Sequence, residues 1–257
     1  MLIRSATAAL LFAGMAFVSA PTFATNIAVT NFSFEANETG ASGATSGICP
    51  TGWLCTPGAS GFTVGTYSPV STQYPPGANG LPGNRTVPSD GSIRTNPSNP
   101  SGGYEALYIN FVGGPGETVS QNTSTLIANN TTYTLDVWIG HRNDTPWGNA
   151  IIQLLANGAV MATSGALADP GSGKWADNSL TFTTGAIDIH AGQTLGIALI
   201  NNSANTIGQT NFDVVTLTAT SNVPEPSTML LLGPAFVGFV AVRRRMSKKD
   251  GAKIVAK

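Results

Sequence analysis

The stretch Thr132-Tyr133-Thr134-Leu135-Asp136-Val137-Trp138-Ile139-Gly140 decides the fold. Tyr133, Leu135, Val137 and Ile139 alternate with Thr134, Asp136 and Trp138, a two-residue period that gives a strand one apolar face and one mixed face. Leu195, Ile197 and Leu199 repeat the pattern. Residues 151–156 and 159–163 flank Asn157-Gly158, whose residue types suit the left-handed positions of a tight hairpin turn. Further strands are expected over 27–34, 62–67, 106–112, 118–121, 179–183 and 211–218. Residues 68–103 are rich in Pro, Gly, Asn and Ser and read as one long loop. No helical periodicity competes between Thr25 and Asn222. About ten short strands separated by turns define an all-β chain, a β-sandwich.

The ends of the chain read differently. Arg4 precedes an apolar run over 6–18, and Thr22-Phe23-Ala24 places small residues at the −3 and −1 positions, so residues 1–24 are expected to be a signal peptide. At the other end stand Pro224-Glu225-Pro226, an apolar run over 228–242, and Arg243-Arg244-Arg245. The two prolines keep 223–226 out of any sheet or helix interior. The apolar run is shorter than the roughly 20 residues of a usual bilayer span. The basic cluster behind it, and the basic tail 246–257, would stay on the cytoplasmic side of the inner membrane. A transmembrane helix over 228–242 is therefore expected, with the domain 25–221 outside.

Between Thr25 and Asn222 there are four basic and eleven acidic residues, a net charge of −7 that the basic tail hides in the whole chain. So acidic a domain excludes a nucleic-acid-binding role and would accommodate a divalent cation. Cys49 and Cys55 are the two cysteines of the chain. In an exported protein they are expected to form a disulfide around a small loop. Two cysteines without a nearby His make no zinc site.

The order Pro-Glu-Pro, apolar run, Arg cluster resembles the PEP-CTERM sorting signal of Gram-negative bacteria over 222–245. The resemblance implies an exosortase-type transpeptidase as partner. The protein would pass through an inner-membrane-anchored intermediate to the cell envelope or the extracellular matrix. Within the domain, the opening Asn31-Phe32-Ser33-Phe34-Glu35, then Gly52-Trp53, and the closing Phe212-Asp213-Val214-Val215-Thr216-Leu217 resemble the galactose-binding-like jelly rolls of carbohydrate-binding modules. That resemblance implies a structural Ca²⁺ near the paired first and last strands, with Glu35 and Asp213 as its carboxylates. Calcium takes six to eight oxygen ligands, so backbone and loop oxygens would complete the site.

Trp138, His141, Arg142 and Trp147 cluster after the strongest strand. Aromatic faces beside polar groups are what a sugar site needs, so these four are the expected ligand-binding residues. The expected role is that of a non-catalytic protein binding glycan or exopolysaccharide. Two alternatives stand beside it. One is a structural matrix protein without a ligand. The other follows from the opening motif, which also resembles that of the calcium-dependent Stig cyclases of cyanobacteria. Those enzymes use an acid residue to promote a rearrangement and cyclisation, and by that analogy Asp213 is the candidate acid. An acid needs burial to hold its proton, whereas a calcium ligand is held charged, so the two roles exclude each other at one residue.

Overall fold

The alternating stretch lies in strand β6, Thr131–His141, the centre of a two-sheet sandwich. Tyr133, Leu135, Val137 and Ile139 point into the core, and none is more than 1% exposed. The computed structural model describes residues 23–37, 47–56, 64–77, 80–81, 86–88, 105–110, 117–203 and 208–222. The bulk of the signal peptide, the Pro224-Glu225-Pro226 linker, the expected membrane helix over 228–242 and Arg243, Arg244 and Arg245 lie outside the described residues. Among the described residues, no helix is long and apolar enough to cross a membrane.

The other strands are β1 Ala24–Ile27, β2 Leu54–Thr56, β3 Val64–Tyr67, β4 Ala106–Asn110, β5 Glu117–Leu126, β7 Ala150–Ala156, β8 Ala159–Thr163, β9 Lys174–Thr183, β10 Thr194–Asn201 and β11 Gln209–Ser221. One sheet, A, runs β3-β4-β11-β6-β9, with β1 also paired to β11. The other, B, runs β2-β5-β10-β7-β8. Every strand pair in both is antiparallel. Their inner faces meet in a core that includes Leu107, Ile109, Leu135, Ile139, Ile152, Leu154, Ile197, Leu199 and Phe212. Each such side chain contributes about 1.5–3 kcal/mol by leaving water.

The hairpin turn is as its residue types require: Asn157 and Gly158 take φ of 48° and 82°. The opening stretch differs from the expectation. β1 ends at Ile27, and the expected strand over 27–34 is instead a turn followed by a 3₁₀ helix, Glu35–Asn37. Asn31 and Phe34 adopt positive φ, 51° and 61°. The Asn31 side-chain oxygen accepts the Ala36 N–H at 2.9 Å, and its backbone carbonyl accepts the Phe34 N–H at 3.1 Å. Local Asn chemistry therefore turns a β-prone sequence. It drives Phe34 fully into the core, where its ring lies 5.3 Å from that of Trp53. A disulfide joins Cys49 to Cys55. It brackets the turn into β2, a strand too short for its alternation to show in sequence.

Candidate active site on the outer face of sheet A

The outer face of sheet A is not a solvated surface. Tyr67, Tyr74, Leu81, Val87, Ala106, Tyr108 and Trp175 form a second buried cluster there, with Trp138 packed against it. The strands supply part of this cluster through their outward positions, since Gly140 faces Trp175 across β6 and β9 and Tyr108 faces Asn211 across β4 and β11. The loop after β3 supplies Tyr74, Leu81 and Val87 as a roof. Tyr74 stacks on Trp175 with ring centroids 4.7 Å apart. Gly140 permits that stack, because a Cβ there would stand 2.5 Å from the Tyr74 hydroxyl and 2.8 Å from the Trp175 ring. The Trp175 indole N–H donates to the Thr86 carbonyl at 3.1 Å, which ties the roof to β9. Burial raises both tyrosine phenols well above their ordinary range, so Tyr67 and Tyr74 remain protonated. Asn211, wholly buried, donates from Nδ2 to the Tyr74 hydroxyl at 2.5 Å.

Asp213 sits at the centre of this face. It pairs in register with Trp138, which in turn pairs with Asp177. Asp213 is 1% exposed, and its Oδ1 accepts the Val214 N–H at 2.7 Å. Toward the β9 edge the face opens to solvent at Asp177. Burial first, and then the charge of Asp136, hold the Asp177 carboxyl above its ordinary value. Its folded form therefore binds a proton more readily than the unfolded chain, and stability falls as pH rises through that window. Asp177→Asn should raise the melting temperature at pH 7 by roughly 1 °C for so exposed a site. The gain should vanish below the ordinary carboxylate range, so an equal gain across the whole pH range would show that charge is not its cause.

Of the four expected ligand-binding residues, His141 and Trp147 are ring neighbours, and Arg142 and Trp138 both lie against the aromatic cluster. Trp138 lies on the outer face, packed against the aromatic cluster. His141 has its Nδ1 2.8 Å from Asp169 Oδ1 and its Nε2 3.0 Å from the Thr145 carbonyl oxygen. Its ring lies 5.6 Å from that of Trp147, and Trp147 packs against the inter-sheet core. Arg142 donates from Nε and Nη2 to both oxygens of Asp144, at 2.9 and 2.7 Å, and from Nη1 to Gln209 Oε1 at 3.1 Å. Its guanidinium stands 5.4 Å over the Tyr67 ring. The Arg142 hydrogen bonds hold the Asp144 carboxyl below its ordinary value. These contacts brace the loop after β6.

Glu35 and Asp213, the expected calcium carboxylates, are both buried. One Glu35 oxygen accepts the Glu105 N–H at 3.2 Å, at the start of β4, and one Asp213 oxygen accepts the N–H of Val214. Among the described residues, no group of three or more His, Cys, Asp or Glu side chains is placed to hold a metal ion. The expected site draws on two carboxylates together with backbone and loop oxygens, and no step below is routed through a cation. A concavity of about 530 Å³ lies on the outer face of sheet B and is lined by Leu54, Ser120, Gln121, Asn122, Gln153 and Leu155 among others. No residue lining it titrates, so it offers no acid–base chemistry. What the fold defines is a two-sheet sandwich with the buried Asp213 on its aromatic face, opposite Trp138.

The family model described as HpiC1 cyclase, HpiC1-like, matches residues 25–218, and a PEP-CTERM protein-sorting motif matches residues 222–245. The chain belongs to the HpiC1-like cyclase family. No curated protein matches it in sequence. Among solved structures it is similar to an apo cyclase from Fischerella sp., with TM-score 0.62 and 23% identity over 78% of this chain and 97% of that one. The Stig cyclase Fisc from Fischerella sp. TAU, in complex with (3Z)-3-(1-methyl-2-pyrrolidinylidene)-3H-indole, gives TM-score 0.59 and 20% identity over 77% and 98%. A cyclase from Fischerella sp. TAU in complex with 4-(1H-indol-3-yl)butan-2-one gives TM-score 0.59 and 21% identity over 76% and 97%. At these identities the likeness is one of fold.

These findings correct the sequence expectations in four respects. The all-β sandwich stands, but it is that of the Stig cyclases and not a galactose-binding-like jelly roll. The role of a glycan or exopolysaccharide binder gives way to that of a cyclase-family domain. The expectation of a non-catalytic protein falls with it. Of the expected partners, the polysaccharide is withdrawn on the same ground; the helix behind the inner-membrane expectation, 228–242, lies outside the described residues. What overturns the glycan reading is the cyclase family model, which spans residues 25–218. The sorting motif marks the protein for export through an exosortase-type system.

Proposed function

We propose that residues 25–221 form an exported cyclase, with Asp213 as the proton donor in an acid-promoted rearrangement and cyclisation. The observation that carries this is the burial of Asp213 on a face of aromatic rings, in a chain of a cyclase family. A carboxyl kept from water favours its neutral form and can serve as an acid. The substrate class we infer is a small, flat, indole-bearing molecule, since two solved relatives hold indole-bearing compounds. The Asp213 proton passes to the substrate and leaves a cation. The rings of Trp138 and its neighbours stabilise that cation by their faces, and the carboxylate just formed lies against it. The skeleton rearranges and closes, and the carboxylate takes a proton back. Substrate and product are then isomers, and the acid is regenerated. A panel of indole-bearing compounds, followed by chromatography with mass detection, should yield at least one new product of unchanged mass with the wild-type protein. A panel returned wholly unchanged would overturn the reading.

The motif at 222–245 supports delivery to the cell envelope or extracellular matrix, with residues 1–24 removed as a signal peptide. Replacing Pro224, Glu225 and Pro226 by alanine should keep the protein out of the surface and culture fractions while leaving the melting temperature of the domain within about 1 °C. Normal surface delivery of that variant would remove this part of the proposal.

A further inference from the structure

Three of the large apolar side chains exposed among the described residues share one end of the sandwich. Ile187 is 96% exposed and Ile189 85%, both in the loop between β9 and β10, and Leu126, the last residue of β5, is 60% exposed. The register brings these segments to the same end: Leu126 pairs with Thr194, Thr132 with Thr183, and Ser221 with Thr131. A lone exposed isoleucine needs no explanation. Two on one loop, with a leucine on the strand end beside it, mark a contact surface.

The loop is braced to present them. Asp188 Oδ1 accepts the His190 N–H at 2.9 Å, and its Oδ2 accepts the Gly185 N–H at 3.4 Å. The Asp188 N–H donates to Asn129 Oδ1 at 2.9 Å. The Gln193 side chain donates to the Ile189 carbonyl at 3.1 Å. The Ile127 N–H donates to the Gln193 carbonyl and the Gly192 N–H to the Ile127 carbonyl, both at 2.8 Å. With these polar groups satisfied, the tip leaves water without stranding them, and a loop already ordered loses little freedom on contact.

The domain hands the chain on at this same end. The Asn222 N–H donates to the Asn130 carbonyl at 2.7 Å, and the Asn130 N–H donates to the Gly185 carbonyl at 2.9 Å, at the start of the isoleucine loop. The sorting motif begins at residue 222, and the apolar run over 228–242 follows six residues on. Six residues of extended chain span at most about 20 Å. A bilayer that holds the apolar run is therefore within about 20 Å of Asn222.

We infer that Ile187, Ile189 and Leu126 form a lipid-contact tip that dips into the interface of a zwitterionic bilayer while the chain is tethered by its sorting segment. The inference rests on the proposed sorting route. The choice of lipid follows from charge: the domain carries a net −7 and Asp188 stands between the two isoleucines, so an anionic surface would repel it. Three such side chains carry less hydrocarbon than one myristoyl chain, which alone gives only marginal, reversible binding. The tip therefore orients the tethered precursor and lets go once the chain is cut behind the domain.

The test uses the full chain in phosphatidylcholine vesicles. Cys49 and Cys55 are joined to each other, so an environment-sensitive fluorophore reacts with a single new cysteine. It is placed at Ile187→Cys, at Leu126→Cys, and at Leu54→Cys, an exposed control at the start of β2. Lipid brominated in its acyl chains should remove roughly half of the emission or more at 187 and 126 and leave that at 54 unchanged. Ile187→Ser combined with Ile189→Ser should abolish the quenching at 126 and keep the melting temperature within about 2 °C, as for exposed sites. A chain that floats with the vesicles while position 187 stays unquenched would overturn the inference and leave the sorting route standing. Equal quenching at 54 would overturn it as well. A chain that does not float with the vesicles would remove the tether and the inference together. Self-association of the lipid-free chain that the double serine variant abolishes would assign the tip to a second copy and overturn the lipid contact.

Discussion

Asp213→Asn should lower kcat by about 10²–10⁴-fold, the usual contribution of a positioned general acid. The amide keeps the size of the carboxyl and an oxygen that can still accept the Val214 N–H, so the melting temperature should stay within a few degrees. What it lacks is the proton. The measurement is turnover of a compound from the indole panel, set beside a thermal melt. Turnover within threefold of wild type in a folded variant would sink the acid role. Asp177→Asn is the natural control. Asp177 is a carboxyl on the same face, next to Trp138 in register, but it is exposed. Its removal should leave kcat nearly intact, and an equal loss in both variants would point to the charge of the face and not to one acid.

Trp175→Ala should cost about 3–5 kcal/mol, as for a large aromatic side chain removed from a core. For a domain of this size that is a fall in melting temperature on the order of 10 °C. Trp175 is buried at 3% exposure, stacks on Tyr74 and holds the Thr86 carbonyl through its indole N–H. It therefore joins the roof to sheet A, and its loss should also expose the outer face of sheet A to water and reduce turnover. Trp175→Phe separates the two contributions. It keeps a ring against Tyr74 and loses the hydrogen bond, so it should cost about 1 kcal/mol. If the alanine variant melts like wild type, the outer face of sheet A is not a packed second core.

Much of the architecture was legible in residues. The alternation over 132–140, the repeat at Leu195, Ile197 and Leu199, and Asn157-Gly158 each name a local structure, because side-chain period and turn chemistry are properties of short segments. The opening stretch was not legible, since Asn31 overrides β propensity through hydrogen bonds to residues that a strand would have placed elsewhere. The site was half legible. Asp213 was singled out by resemblance, and so was its possible role as an acid. The aromatic side chains around it come from β3, β4, β6, β9 and the roof loop, and no spacing along the chain joins Tyr67, Tyr74, Tyr108 and Trp175. His141, Arg142 and Trp147 looked like a site because they are near in sequence. The fold keeps His141 beside Trp147 and lays Arg142 over Tyr67, and the polar atoms of His141 and Arg142 are taken up by Asp169, Thr145, Asp144 and Gln209. The extra residue that β11 carries relative to β6 went unread, although a signal was there: Phe212 and the pair Val215 and Leu217, all in the core, are out of phase within one strand.

By itself, the sequence determined that this is an exported all-β protein with an acidic domain and a sorting motif behind it. Period, charge and terminal motifs suffice for that, because each is written locally. Only the tertiary structure decided which side of the sheet Asp213 faces. That follows from its register opposite Trp138 in β6, a pairing that no local segment contains. A carboxyl on the core side would be a buried charge with no role, and the same carboxyl on the aromatic side is a candidate acid.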